Sequence, residues 1–116
     1  MIRTLAVALV AVALAGCGGG DGGGGGGDPA VATKRGLDRA LEAYREGDRG
    51  DAAERFEDTR DDHFSRLEPE LRDERLARRL HAALYDEVPR LIDEGVTVSA
   101  LAARLAAIQA DIDRAR

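Results

Sequence analysis

Val98-Ser99-Ala100-Leu101-Ala102-Ala103-Arg104-Leu105-Ala106-Ala107-Ile108-Gln109-Ala110-Asp111-Ile112-Asp113-Arg114-Ala115 decides the fold class. Its residues Val98, Leu101, Leu105, Ile108, Ile112 and Ala115 recur three and four apart, which lines them up on one stripe of an α-helix. A seam of this heptad kind is too short for a free coiled coil and suits a helix bundle. Working back along the chain, Gly95 supplies a stop for the helix before it. That third helix is expected from about Glu70 to Glu94, on Leu76, Leu80, Leu84, Val88 and Leu91. Pro89 inside it removes one backbone bond and predicts a kink. Asp48 caps a second helix with the stripe Ala52, Phe56, Thr59, His63, Phe64 and Leu67. Pro69 is expected to break this helix by pushing Glu68 out of the helical region. Asp28-Pro29 places an N-cap and an N1 proline ahead of a first helix, which carries Leu37, Ala40, Leu41 and Tyr44 and stops at Gly47. No segment alternates as a strand would. The expectation is all-α, a small antiparallel four-helix bundle with short connections over residues 29–116.

That length suffices for one small domain. Seventeen basic and 22 acidic residues give a formal net charge of −5. The balance argues against a nucleic-acid partner and gives no reason to lie on anionic lipid headgroups.

The N-terminus has a different character. A basic start, Met1-Ile2-Arg3, leads into an apolar run from Leu5 to Leu14. At about ten residues it is too short to span a bilayer and has the length of a signal-peptide h-region. Ala15 and Gly16 are the small residues a signal peptidase requires, and Cys17 follows. Residues 18–28 are nine glycines and two aspartates. Such a segment buries no apolar surface and is expected to be a disordered tether, with a reach of roughly 18 Å. No strand precedes it and no Gly-Lys-Ser/Thr follows, so it lacks the pattern of a phosphate-binding loop.

Leu14-Ala15-Gly16-Cys17 resembles the lipobox of bacterial lipoproteins. The resemblance implies that residues 1–16 are removed, that the Cys17 sulfur carries a diacylglyceryl group, and that the protein is an extracytoplasmic, palmitate-type lipoprotein of the cell envelope. Residues 17–28 are then a lipidated cysteine and its flexible linker. At about 0.8 kcal/mol per buried CH₂, two or three acyl chains make a near-irreversible membrane anchor. The membrane would be the outer leaflet of the cell membrane, or an outer membrane where the cell has one, since Gly18 is not the Asp that commonly retains lipoproteins at the inner membrane. Cys17 is the only cysteine, so no disulfide supports the fold.

Little in the domain points to catalysis, and no enzyme is expected. No Ser/His/Asp constellation can be built from Thr33, Thr59, Ser65, Thr97 and Ser99, which look like caps or surface positions. Metal binding is the sharper alternative. His63 and His81 fall on or beside the apolar stripes of adjacent helices, so their rings would approach each other if the helices are antiparallel neighbours. Glu68 and Tyr44 complete a candidate ligand set for iron or a similar divalent cation. Against it, His63 has Arg60 and Arg66 at i±3, His81 has Arg78 and Leu84, and the Glu-x-x-His of di-iron bundles is absent.

A second resemblance bears on the same residues. Tyr44, Gly47, Asp48, Ala52, Phe64, Glu68 and Gly95 are laid out as in the extracytoplasmic helical segment fused to some iron permeases of the high-affinity transporter family. The Arg-Glu-x-x-Glu permeation motif and its membrane helices are absent, so the resemblance implies at most an accessory role near metal uptake. The spacing of Tyr44, Ala52 and Phe56 also resembles one tetratricopeptide unit, but it is one residue short and no second unit follows. The expected function is therefore a lipid-anchored helical binding module with an envelope protein as partner, the alternative being an accessory metal-handling protein.

Overall fold

The computed structural model describes residues 27–116. The signal peptide expected over 1–16, the lipidation site at Cys17 and all but the last two residues of the tether lie outside the described residues. Four helices make up the described chain, with no strand among these residues.

Helix α1 spans Pro29–Arg45. Asp28 caps it, its Oδ1 accepting from the Ala30 N–H at 2.9 Å, and Pro29 occupies a first-turn position that needs no donor. Gly47, at φ +87°, ends it: the Asp48 N–H donates to Ala43 O at 3.1 Å, the six-to-one bond of a Schellman turn. Asp48 then caps α2 through the Asp51 N–H. Helix α2 runs Arg49–Thr59 as regular α-helix, widens into a π turn at Arg60–Phe64, continues at Ser65–Leu67 and tightens to a 3₁₀ turn at Glu68–Glu70.

Proline does not break α2 where the sequence suggests. Glu68 keeps helical angles (φ −52°, ψ −46°), Pro69 rides inside the 3₁₀ turn, and the chain leaves the helix only at Leu71 (ψ 131°). The pre-proline restriction disfavours the α region without forbidding it, and the 3₁₀ turn is closed by the Leu71 N–H on Glu68 O, a bond that does not need the missing Pro69 donor.

Helix α3 also departs from expectation. It begins at Glu74 rather than near Glu70, because Asp73 is its N-cap and accepts from the Leu76 N–H at 3.1 Å. It spans Glu74–Ala82, passes through a π turn at Ala83–Glu87 and resumes at Val88–Glu94. The π turn explains two details. The Val88 N–H bonds Ala83 O, five residues back, so the irregularity lies just ahead of Pro89, which then falls at the first turn of the resumed α segment. The buried stripe is Leu76, Leu80, Leu84, Val88 and Ile92, with Leu91 only partly buried. Residues four apart on a regular α-helix drift by about 40° per step; the wide turn absorbs that drift and keeps Ile92, not Leu91, facing inward. The π turn in α2 acts alike, since Phe56 and Phe64, eight apart, are both fully buried.

Gly95 (φ +71°) ends α3, and α4 spans Val98–Ala115 under a Thr97 cap that accepts from the Ala100 N–H. Leu101, Leu105, Ile108, Ile112 and Ala115 are all buried, as the seam requires.

Helix α1 packs on α2 and α4, and α3 lies on α4 along both its segments and on α2 through its second. The closest approach is at Gly36, where an added Cβ would sit 2.1 Å from Thr59 Oγ1. Thr33 and Thr59 are buried, not surface or capping positions; each hydroxyl donates to the carbonyl four residues back, Pro29 O and Arg55 O. Leu37, Phe56, Phe64, Leu67, Leu84 and Ile108 are among the side chains that fill the centre. Burying each such group stabilises by about 1.5–3 kcal/mol before conformational entropy is subtracted.

Polar contacts tie the ends. At one end Arg116 pairs with Asp28 at 2.8 Å, and the Arg72 N–H donates to Ala115 O at 2.9 Å. At the other, the buried Tyr44 hydroxyl donates to Val96 O, and Arg49 Nη1 donates to Asp93 O at 3.1 Å.

Candidate functional site

The four residues considered for a metal go to three places. Tyr44 is buried, with its hydroxyl committed to Val96 O at the α3–α4 turn. His63 is half-buried on the π turn of α2, its Nδ1 3.5 Å from Arg66 Nη2, in a groove of about 150 Å³ that Arg39, Arg55, Asp58 and Asp62 also line. Charges of both signs line that groove. Arg55 already bonds Asp51 at 2.8 Å, and this partner holds its guanidinium above its ordinary value.

Glu68 and His81 do come together, with Glu68 Oε2 2.8 Å from His81 Nδ1. Glu68 lies in the turn that ends α2, and His81 in the first segment of α3. His81 is exposed rather than beside the apolar stripe, since the inward positions around it are Leu80, Ala83 and Leu84. Its ring stacks on Tyr85 (centroids 4.3 Å apart, 21° between planes), and the Arg60 guanidinium lies 4.7 Å from the Tyr85 centroid. Phe64 meets Tyr85 from within at 6.5 Å. Both π turns thus contribute to one surface cluster, Arg60 and Phe64 from α2 and Tyr85 from α3. The sequence contained Tyr85 four residues after His81, the spacing of neighbours on a helix face, yet the part played by Arg60 depends on how two helices pack.

A carboxylate on Nδ1 fixes the orientation of the His81 ring, and both residues line a shallow groove of about 450 Å³ together with Leu71, Ala77 and Arg78. One imidazole and one carboxylate already bonded to it make a poor ligand set. Among the described residues no group of three or more His, Cys, Asp or Glu is placed to hold a metal ion.

The remaining titrating group of note is Asp28, where the tether meets α1. The Ala30 N–H holds its carboxyl below the ordinary value of 3.8, partly opposed by desolvation and helped by the Arg116 guanidinium. Elsewhere, an apolar groove of about 370 Å³ opens between the start of α2 and the end of α3, around Ala53, Phe56, Pro89 and Ile92.

No protein-family model matches the chain, and neither does any curated protein or solved structure.

Proposed function

We propose that this chain is a lipid-anchored extracytoplasmic protein whose four helices pack as an antiparallel bundle and serve as an interaction module of the cell envelope. The anchor reading is carried by one observation, the lipobox-like Leu14-Ala15-Gly16-Cys17 immediately after an apolar run of signal-peptide length. Among the described residues no helix is long and apolar enough to cross a membrane. The antiparallel arrangement is supported by the ties at the two ends: Asp28 with Arg116 and Arg72 with Ala115 at one, Tyr44 with Val96 and Arg49 with Asp93 at the other. Short turns join the helices, as antiparallel neighbours need.

An interaction role is favoured over catalysis because Thr59, the hydroxyl residue that shares a groove with His63, donates its proton to Arg55 O, while the molecule offers open grooves on its flanks. A metal-handling role rests on the single Glu68–His81 pair and is the second reading. The test of the anchor is labelling with an alkyne fatty acid in the native host. The wild type incorporates label and fractionates with membranes, whereas Cys17→Ser accumulates as unlabelled precursor, because serine has no sulfur to alkylate. Label on Cys17→Ser, or none on the wild type, would end the proposal.

A further inference from the structure

We infer that the groove between α2 and the last turns of α3 binds a peptide segment of a partner protein that offers an apolar side chain flanked by Lys or Arg. This deepens the interaction-module reading and rests on it. The groove has an apolar floor of Ala53, Phe56, Pro89 and Ile92, open at the Gly50 side. Its volume of about 370 Å³ lies in the range of small-ligand sites and takes one or two large side chains.

Charge at the rim selects the occupant. Glu57 and Asp93 stand exposed on its two sides, one from each helix, and neither carboxylate enters an ion pair among the described residues. Arg49 is the one cation in the lining, and it is already engaged. Its Nη1 donates to Asp93 O at 3.1 Å, and the same atom lies only 2.4 Å from where a Cβ on Gly95 would be. The guanidinium therefore covers the carbonyl end of α3, where a cation is favoured by the unpaired C=O groups. Arg49 keeps its charge there, so the apolar slot is rimmed by two unpaired carboxylates against one cation and is negative on balance. A neutral apolar ligand would leave those carboxylates unpaired, and an acidic one would be repelled. An apolar side chain between basic residues satisfies floor and rim together.

The other openings are less selective. The groove at His63 is lined by charges of both signs, Arg39 and Arg55 with Asp58 and Asp62, and the one at His81 contains a carboxylate and an imidazole already bonded to each other.

The test uses the full lipidated chain in phosphatidylcholine nanodiscs and fluorescence anisotropy of two labelled pentapeptides, Lys-Leu-Phe-Leu-Lys and Glu-Leu-Phe-Leu-Glu, with empty nanodiscs as the blank. Saturable binding of the basic peptide is expected, at least tenfold tighter than that of the acidic one. Gly50→Leu should weaken it tenfold or more. A Cβ there meets only Asp48 Oδ1, at 3.8 Å, so the side chain occupies the groove without disturbing the core, and leucine is the better helix former. Glu57→Gln with Asp93→Asn should leave an apolar site that no longer distinguishes the peptides by more than about threefold, as charge complementarity requires. Far-UV circular dichroism and melting of each variant show that the fold is retained. Equal affinity for both peptides, or binding indifferent to Gly50→Leu, would overturn the inference. Concentration-dependent self-association that displaces the peptide would overturn it too, by assigning the groove to a second copy of the chain. If the chain carries no lipid, the same titration runs on the unlipidated chain in free solution, where peptide binding is expected unchanged, so the two proposals fail separately.

Discussion

Gly36→Ala is the most informative change to the packing of α1 on α2. A Cβ at residue 36 would lie 2.1 Å from Thr59 Oγ1, 2.5 Å from Cγ2 and 2.8 Å from Cβ. Thr59 is not the free end of a flexible side chain; its hydroxyl donates to Arg55 O at 2.8 Å and its branched Cβ has little rotamer freedom in a helix. Relief therefore requires the two helices to separate. Overpacking of this kind costs about 1–3 kcal/mol, and contacts this short belong at the upper end. Replacing glycine by alanine in a helix returns about 1 kcal/mol through propensity. The net expectation is a loss of about 2 kcal/mol, which for a domain of this size lowers the melting temperature by about 8–16 °C. Thermal and urea unfolding followed at 222 nm, on the chain from Asp28 onward, measures it. Adding Thr59→Ala removes the two shortest contacts but leaves the 2.8 Å approach between Cβ atoms, so the double variant should recover part of the loss and not all. A Gly36→Ala protein as stable as wild type, or more so, would mean that α1 and α2 do not meet at this point.

Two further expectations follow from single contacts. The Asp28 carboxyl is held below 3.8, first by the Ala30 N–H and then with help from Arg116. The unfolded chain then takes up the proton before the folded one, so the stabilisation is complete above about pH 4 and is lost as pH falls through the lower folded value. The stability difference between wild type and Asp28→Ala, measured by urea unfolding from pH 7 to pH 2, should shrink toward the acid end; a gap that widens there would contradict the assignment of the cap. For the metal reading, calorimetric titration of untagged protein with Fe(II), Cu(II) and Zn(II) should give weak, unsaturated heats unchanged by His63→Ala or His81→Ala. Micromolar saturable binding lost in either variant would favour the metal-handling alternative.

Much of the helical layout is legible in the chain because its signals are local. Asp28, Asp48 and Thr97 cap the helices they precede, each through a backbone N–H two or three residues on, and Gly47 and Gly95 stop helices by adopting positive φ. The seam of α4 reads directly because Leu101, Leu105, Ile108 and Ile112 follow regular helical spacing. What escapes a sequence reading depends on partners elsewhere. Asp73 is one of several acidic residues around Pro69 and is singled out as a cap only by where α3 docks. The π turns exist because Phe56 with Phe64, and Leu84 with Val88 and Ile92, must reach the same interior from spacings that a regular helix would rotate away. Leu91 therefore gives way to Ile92. The metal candidates illustrate the same point: sequence places Glu68 just beyond α2's stripe, but its bond to His81 across thirteen residues and the commitment of Tyr44 to Val96 come from packing.

Mass spectrometry of the mature N-terminus, on protein extracted from its own membranes, decides whether Cys17 carries the anchor. A lipid-anchored protein yields a chain that starts at residue 17, with the Cys17 sulfur carrying a diacylglyceryl group and residues 1–16 gone. A chain that retains Met1, or that carries a free thiol at Cys17, would contradict the anchor.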